Sequence, residues 1–417
     1  MMNRKRNGIR PEEFNQQAKS MKLIKHDQTI KVWIWGLVFF ASALLASCGS
    51  APQQQQGLDA ELLAAVAQGD AARADSCLQA GADPNVQDSN GLPAILLAAR
   101  SGQRQILSSL LAHGADTEAS RANTFGNTAL MEASARNDTA IARLLLENGA
   151  DVQARDAFGD PALNWAAYYG HVDYAGILLR HGARWDVSSR NGNALEIAAQ
   201  QWHLKLLSFF ISQGAGLPLN HAQARDLTAA VKAGQVEKAR QQLDAGAAAD
   251  QQDELGFPLL FWAAAQGDLP MLQLLLERGA APDAFGLAGY TPLAAAAHFG
   301  HVELASRLLD YGAQPDAAGP PYRITPLMSA AMGGQAEMMR LLLYSGADID
   351  RQDTADGFTA LMHATANKHK EAVALLVASQ ANPYIKSHDG VGLYELVSYA
   401  GDPELAKIIE AYVLDRQ

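Results

Sequence analysis

The feature that most limits what this chain can fold into is a repeat. A Gly-Ala pair closes a helix-like stretch at Gly81, Gly114, Gly149, Gly182, Gly214, Gly246, Gly279, Gly312 and Gly346, at intervals of 33, 35, 33, 32, 32, 33, 33 and 34 residues. A worn copy, Gln380-Ala381, follows 34 residues later. Units of this length are single supersecondary elements too small to bury their own apolar face, so they must stack on one another. The 417 residues therefore predict one elongated stack rather than several compact domains.

The stretch from Gly289 to Asp316, GYTPLAAAAHFGHVELASRLLDYGAQPD, writes the unit out. Thr291 before Pro292 predicts a helix start, with the hydroxyl accepting a backbone N–H and the proline pre-bent for the first turn. Gly300 predicts its stop. The spacing of Val302, Leu304, Ala305, Leu308 and Leu309 gives a second helix with one apolar face, closed by Gly312. Thr-Pro-Leu returns at Thr325-Pro326-Leu327, and Thr-Ala-Leu at Thr128-Ala129-Leu130 and Thr359-Ala360-Leu361. With the registered Gly-Ala endings, these motifs resemble the ankyrin repeat family from about Leu58 to the C-terminus. The resemblance implies an all-α fold, an ankyrin-repeat solenoid of stacked helix-turn-helix repeats with β-hairpin-like loops, about ten to eleven repeats in two blocks. The histidine usual after Thr-Pro-Leu is missing, replaced by Ala294, Met328, Met131 or Met362. The loop-fixing hydrogen bonds it makes in the family must be weaker or come from elsewhere.

A second level of order lies above the repeat. Leu62 to Asp88 aligns without gaps on Leu227 to Asp253 at an offset of 165, and Gly91, Pro93 and Leu110 match Gly256, Pro258 and Leu275 at the same offset. A doubled array of five places block 1 at residues 58–220 and block 2, with a C-terminal cap, at 221–417. The joint, Gly214-Ala215-Gly216-Leu217-Pro218, lacks the usual loop and the next Thr-Pro-Leu. It reads as a hinge within Gly214 to Gln223 or as an eroded repeat in an unbroken stack.

Residues 1–47 read as an export signal. Lys22, Lys25 and Lys31 precede an apolar or small run, Val32 to Leu45, that is short for a bilayer span. Leu45-Ala46-Ser47-Cys48 resembles a bacterial lipoprotein processing box. The resemblance implies acylation of Cys48 as the first mature residue, a polar tether over 48–57 and, because Gly49 follows, outer-membrane sorting facing the periplasm. Met21 would open a signal of ordinary length. The alternative is an uncleaved anchor.

Charge and motif content exclude several functions. Of 33 basic and 44 acidic residues, 8 and 3 precede Cys48, so the remainder carries 25 against 41 and suits neither nucleic acid nor anionic lipid headgroups. With Cys48 acylated, Cys77 has no disulfide partner within the chain and reads as a small buried hydrophobe. There is no His-Glu-x-x-His, Cys-x-x-Cys, Gly-x-Ser-x-Gly or phosphate loop with its lysine. His171 and His301 follow turn glycines at a position that Gln103, Asp268 and Gln335 occupy in sister repeats, which marks scaffolding. No catalytic residue, metal site or cofactor is predicted.

Ankyrin proteins usually meet partners through loop tips and the exposed end of the first helix. Carried over, the resemblance selects Phe125, Phe158, Tyr290 and Tyr322 at tips, and Arg136, Tyr168, Tyr169, His298 and Phe299 at helix ends. Trp165 lies one turn before Tyr168 and Tyr169, able to share their face or to join the core. Tip aromatics packed on the neighbouring loop are the alternative to a binding surface. The expected function is a non-enzymatic protein-binding scaffold or accessory factor in the cell envelope, with its principal contact around Phe158 to Arg184. Two alternatives are a periplasmic inhibitor or immunity protein against a toxic enzyme, and an enzyme or small-ligand binder on the concave face.

Overall fold

The computed structural model describes residues 51–119, 125–216 and 222–414. Cys48 and the predicted signal lie outside the described residues, as does most of the predicted joint beyond Gly216. The described residues form two compact units, one ending at Ser212 and the other beginning at Gln213.

Twenty-two α-helices lie among the described residues, arranged as eleven pairs. In the first unit the pairs are α1 (Ala51–Gln68) and α2 (Ala71–Gln79), α3 (Ala94–Ser101) and α4 (Arg104–Ala112), α5 (Ala129–Ala135) and α6 (Thr139–Glu147), α7 (Ala162–Tyr169) and α8 (Val172–Arg180), α9 (Ala194–Gln200) and α10 (Leu204–Ser212). The second unit pairs α11 (Ala222–Lys232) with α12 (Val236–Asp244), α13 (Leu259–Gln266) with α14 (Leu269–Glu277), and α15 (Pro292–Phe299) with α16 (Val302–Asp310). It continues with α17 (Pro326–Gly333) and α18 (Ala336–Tyr344), α19 (Ala360–Ala366) and α20 (Lys370–Ala378), α21 (Leu393–Ala400) and α22 (Pro403–Leu414). Between pairs the chain forms hairpin-like loops, marked by isolated antiparallel bridges such as Gln87 with Pro93 and Arg155 with Pro161.

Local chemistry sets these ends. Thr128, Thr291, Thr325 and Thr359 each accept a backbone N–H three residues on, as the Thr-Pro-Leu and Thr-Ala-Leu motifs predict. First helices are almost wholly buried, Ala294 to Ala297 at 0% exposure, because small side chains let neighbouring first helices approach. Within each unit first helices pack on first helices and second helices on second, giving two layers. Leucines such as Leu107, Leu145, Leu178 and Leu308 fill the space between layers at full burial, each worth about 1.5–3 kcal/mol.

Neighbouring repeats are also clamped by polar groups. At the residue just before the second helix, Gln103 donates from Nε2 to Val66 O (2.8 Å), while His171 Nδ1 meets Ser134 O (2.8 Å), His203 Nε2 meets Tyr168 O (3.0 Å) and His369 Nε2 meets Met332 O (3.0 Å). Each side chain reaches back to the C-terminal end of the preceding first helix. This gives the scaffolding position its physical content: it satisfies carbonyls that a helix end leaves open. Gly170 serves the clamp twice. Its φ of +74° ends α7, and a Cβ there would stand 2.6 Å from His203 Nδ1. Cys77 is buried, and burial pushes its thiol pKa up, as suits a core residue.

The missing histidine is replaced by a different device. A loop aspartate accepts backbone amides on one oxygen and a ring N–H on the other. Asp156 Oδ1 takes the amides of Phe158 (2.8 Å) and Asp160 (2.9 Å), and its Oδ2 takes Trp165 Nε1 (3.0 Å). Asp253 takes Leu255, Phe257 and Trp262 Nε1 (2.8 Å) in the same way. Asp353 takes Ala355, Asp356 and Gly357, and its Oδ2 pairs with His363 Nε2 (2.8 Å). Trp165, Trp262 and His363 all stand four residues past the helix cap, one place beyond the site of the usual histidine.

Candidate functional site

The expected recognition residues fall into two rows. At the loop tips, Phe125 and Phe158 are half-buried and stack on each other, ring centroids 5.6 Å apart and planes 27° apart. Their loops are also joined through the backbone, Ala157 N donating to Phe125 O (2.6 Å) and Arg190 N to Phe158 O (3.0 Å). Tyr322 is half-buried, and its carbonyl accepts from Thr354 N (2.8 Å). Tyr290 is placed differently from the surface role expected of it, at 2% exposure, and burial pushes its phenol pKa well up. Leu92, Phe257, Ile324 and Phe358 at corresponding tips are buried too. The tip row is thus largely a packing row, because each hairpin lies against the next.

The second row lies at the C-terminal ends of the first helices. Tyr168 and Tyr169 close α7 half-buried, edge to face at 5.2 Å and 85°, and Tyr169 continues onto His171 at 5.7 Å and 16°. The second unit repeats the arrangement at the end of α15. His298 and Phe299 meet edge to face at 4.9 Å and 89°, and Phe299 lies 6.3 Å from His301. Burial raises the pKa of both phenols of the first pair, and at Tyr169 the neighbouring Tyr168 and Glu132 add to it. Both tyrosines therefore stay neutral near pH 7. Arg136 is exposed and lies across the turn of the preceding repeat, its Nη2 3.1 Å from where a Cβ on Gly102 would be. Trp165, which shares α7, is not part of this surface. It is 8% exposed, with its indole committed to Asp156.

Arg100, at the corresponding helix end of its repeat, belongs here as well, paired with Glu132, which no motif in the sequence singles out. Glu132, four residues past the Thr128 cap, is buried. It holds Arg100 of the preceding repeat through Nε–Oε2 (3.1 Å) and Nη2–Oε1 (2.5 Å), with Asn127 Nδ2 donating at 3.3 Å. The signal was present as a lone glutamate inside the small and apolar run of α5. Lys232 has the same place in its repeat as Arg100. It lies 2.8 Å from Asp253 Oδ2 and 4.9 Å from the centre of the Trp262 ring. Chemically the first-unit row offers two neutral phenols, a paired guanidinium and an exposed one. Among the described residues no group of His, Cys, Asp and Glu is arranged to hold a metal ion. None of the described helices is long and apolar enough to cross a membrane.

Comparison with known families agrees with this geometry. The family description "Ankyrin repeats (3 copies)" matches residues 62–156, 227–319 and 318–387, and "Ankyrin repeat" matches 158–192. The chain belongs to the ankyrin repeat family. Similar proteins include the NF-kappa-B inhibitor cactus of Drosophila melanogaster, 31% identical over 158 residues, or 36% of this chain and 30% of that protein. An ankyrin repeat-containing protein of Treponema pallidum (strain Nichols) is 37% identical over 108 residues, 25% of this chain and 35% of its own length. Human ankyrin repeat and KH domain-containing protein 1 is 38% identical over 108 residues, 25% of this chain and 4% of its own. The matched region thus spans about a third or less of each relative. Ankyrin repeat proteins are typically non-catalytic binders, and membership suggests a protein-binding scaffold with protein partners.

Proposed function

We propose that this ankyrin array is a non-enzymatic scaffold or accessory factor, tethered in the bacterial cell envelope by lipid on Cys48, that binds a protein partner. The principal contact is centred on the end of α7. The observation that carries this reading is the Tyr168–Tyr169 pair, half-buried and set edge to face, beside the exposed Arg136 and the Arg100–Glu132 pair. Such rings are large, rigid and already partly desolvated, so they lose little freedom on binding. Phe125 and Phe158 extend the surface along the loops, and His298 with Phe299 offers a second, smaller one. The envelope location rests on the Leu45-Ala46-Ser47-Cys48 box alone.

The test starts from affinity capture with a soluble form lacking Cys48, using an envelope extract. With the partner in hand, Tyr168→Ala and Tyr169→Ala should each weaken binding at least about tenfold, equivalent to 1.4 kcal/mol, without loss of helical signal. Full affinity in the double variant would move the contact elsewhere. For the tether, Cys48→Ser should leave an unprocessed precursor that no longer takes a fatty-acid label, and unchanged labelling would remove the lipid claim. A second reading, an inhibitor of a basic toxic enzyme, is favoured by the 25 basic against 41 acidic residues after residue 47. An adjacent gene for a secreted toxin would support it, and an adjacent periplasmic enzyme would support the accessory factor.

A further inference from the structure

The second-helix layer of the first unit carries a groove of about 290 Å³, running across α6, α8 and α10. Gly176 opens it. This glycine stands mid-helix, where Arg143 and Ser208 occupy the corresponding places in the flanking repeats, and its φ does not require glycine. A Cβ there would lie 3.2 Å from Phe209 Cζ and 3.6 Å from Arg180 Nη1. The missing side chain therefore lets the Phe209 ring and the Arg180 guanidinium come in over the helix. Phe209, half-buried, supplies apolar surface above the buried Ile177, Arg143 and Arg180 also line the groove, and Asp173 stands two turns before Arg180 on α8.

Two facts indicate what the groove accepts. Arg143 and Arg180 are both exposed, and neither makes an ion pair among the described residues, although acidic side chains outnumber basic ones 44 to 33 in this chain. Exposed guanidinia lining one groove suit a carboxylate, which each can grip through two N–H groups. Asp173, about 10 Å away along the helix, repels a second carboxylate at its end and so gives the groove a direction.

We propose that this groove is a second docking site, for an acidic stretch of a protein chain. One carboxylate of that stretch is held by Arg143 and Arg180, and a neighbouring apolar side chain lies on Phe209. The site is on the other helix layer from Tyr168 and Tyr169, so it stands or falls separately from the contact proposed above.

The probe is a library of random dodecapeptides displayed on phage, selected on the full chain and depleted on the Gly176→Leu variant, whose side chain fills the groove. Surviving peptides should carry Asp or Glu beside an apolar residue. Synthetic copies should bind at least tenfold more weakly to the Arg143→Gln, Arg180→Gln double variant, and with unchanged affinity to Tyr168→Ala. If Gly176→Leu does not fold, depletion uses the double glutamine variant, since glutamine keeps helix preference close to that of arginine at two exposed positions. No groove-dependent survivors, survivors without a carboxylate, or full binding to the double variant would each overturn the proposal.

Discussion

Asp156 in the first unit and Asp353 in the second do the same backbone work in their repeats, but their charges sit in different surroundings. Both are buried, at 7% and 2% exposure, and both cap the amides of a hairpin loop. Asp156 is met by a neutral indole, with a second buried carboxylate, Asp160, four residues away. Burial raises its pKa, Asp160 raises it further, and the hydrogen bonds from Asp160 N, Trp165 and Phe158 do not cancel this. Burial pushes Asp353 up as well, but the hydrogen bond and charge of His363, with the amides of Asp356 and Gly357, outweigh it and hold the carboxyl below its usual value. The partner four residues past the helix cap, together with nearby charge such as Asp160, thus sets how comfortable each loop carboxylate is as an anion.

The largest effect should come from removing the better-satisfied anion. Asp353→Ala leaves three loop amides and His363 without their acceptor, and should cost about 3 kcal/mol. Asp156→Ala removes a strained anion along with its bonds and should cost about 2 kcal/mol. Native-state hydrogen exchange at Gly357 and Asp160 reads the two loops separately, which matters because a repeat array need not unfold in one step. Equal losses would break the comparison.

The ring partners come next. His363→Leu should loosen the Asp353 loop by about 2 kcal/mol, because a buried anion loses its side-chain donor. Trp165→Phe keeps most of the packing, gives up one neutral hydrogen bond and should cost about 1 kcal/mol. A larger loss for Trp165→Phe than for His363→Leu would mean that the indole matters more as core than as donor.

The pH dependences should run in opposite directions. A carboxyl whose folded pKa is raised stabilises the fold below its unfolded value, and that contribution is lost as pH rises through the folded value. The Asp156 loop should therefore become better protected as the pH falls from neutral toward about 4, the ordinary aspartate value. Asp353 has the other sign. Its contribution is present above the ordinary value and is lost only as pH falls below about 4 and through the depressed folded pKa. Exchange rates corrected for their intrinsic pH dependence should show firming at Asp160 as pH falls from neutral toward about 4, and loosening at Gly357 as pH falls below about 4. Parallel behaviour of the two loops would remove the electrostatic account.

The repeat and its helix pairs were legible because period, caps and turn glycines are local signals. The 165-residue offset is a match of letters alone. The clamp was visible as a position, in His171 and its sister Gln103, but its targets were not, because Ser134 and Val66 are brought within reach only by stacking. The recognition surface was only partly readable. A tip aromatic looks the same in sequence whether it faces water, as Phe158 partly does, or lies beneath the next hairpin, as Tyr290 does. Trp165 shows the same limit on a helix. Its spacing from Tyr168 allowed a shared face, and what settled its direction was Asp156 in a loop whose geometry the sequence does not give. Glu132 was passed over because one charge in a helix usually means a solvated face, and its partner Arg100 lies 32 residues away.

The smallest effect concerns the turns that end the first helices in these same two repeats. In the first unit α7 ends on Gly170 at φ +74°, whereas the turn after α19 is made by Lys368 at φ +60°. A residue with a Cβ is strained in this left-handed region, at a cost on the order of 1 kcal/mol or more. Glycine relieves that strain but gives back part of the gain, because it adds freedom to the unfolded chain. Lys368→Gly should therefore stabilise by about 0.5–1 kcal/mol, read as slower exchange of the amides of His369 and Val373, whose acceptors are Ala364 O and His369 O. The opposite change is not its mirror image. Gly170→Lys would meet the backbone strain and also drive a Cβ toward the His203 ring, 2.6 Å from Nδ1, breaking the clamp onto Tyr168 O. A gain at Lys368→Gly smaller than the loss at Gly170→Lys would separate the two roles of the turn glycine, since only the boundary at Gly170 depends on the space as well as the angle. A loss at Lys368→Gly would show instead that the lysine side chain contributes more to its repeat than its backbone strain removes.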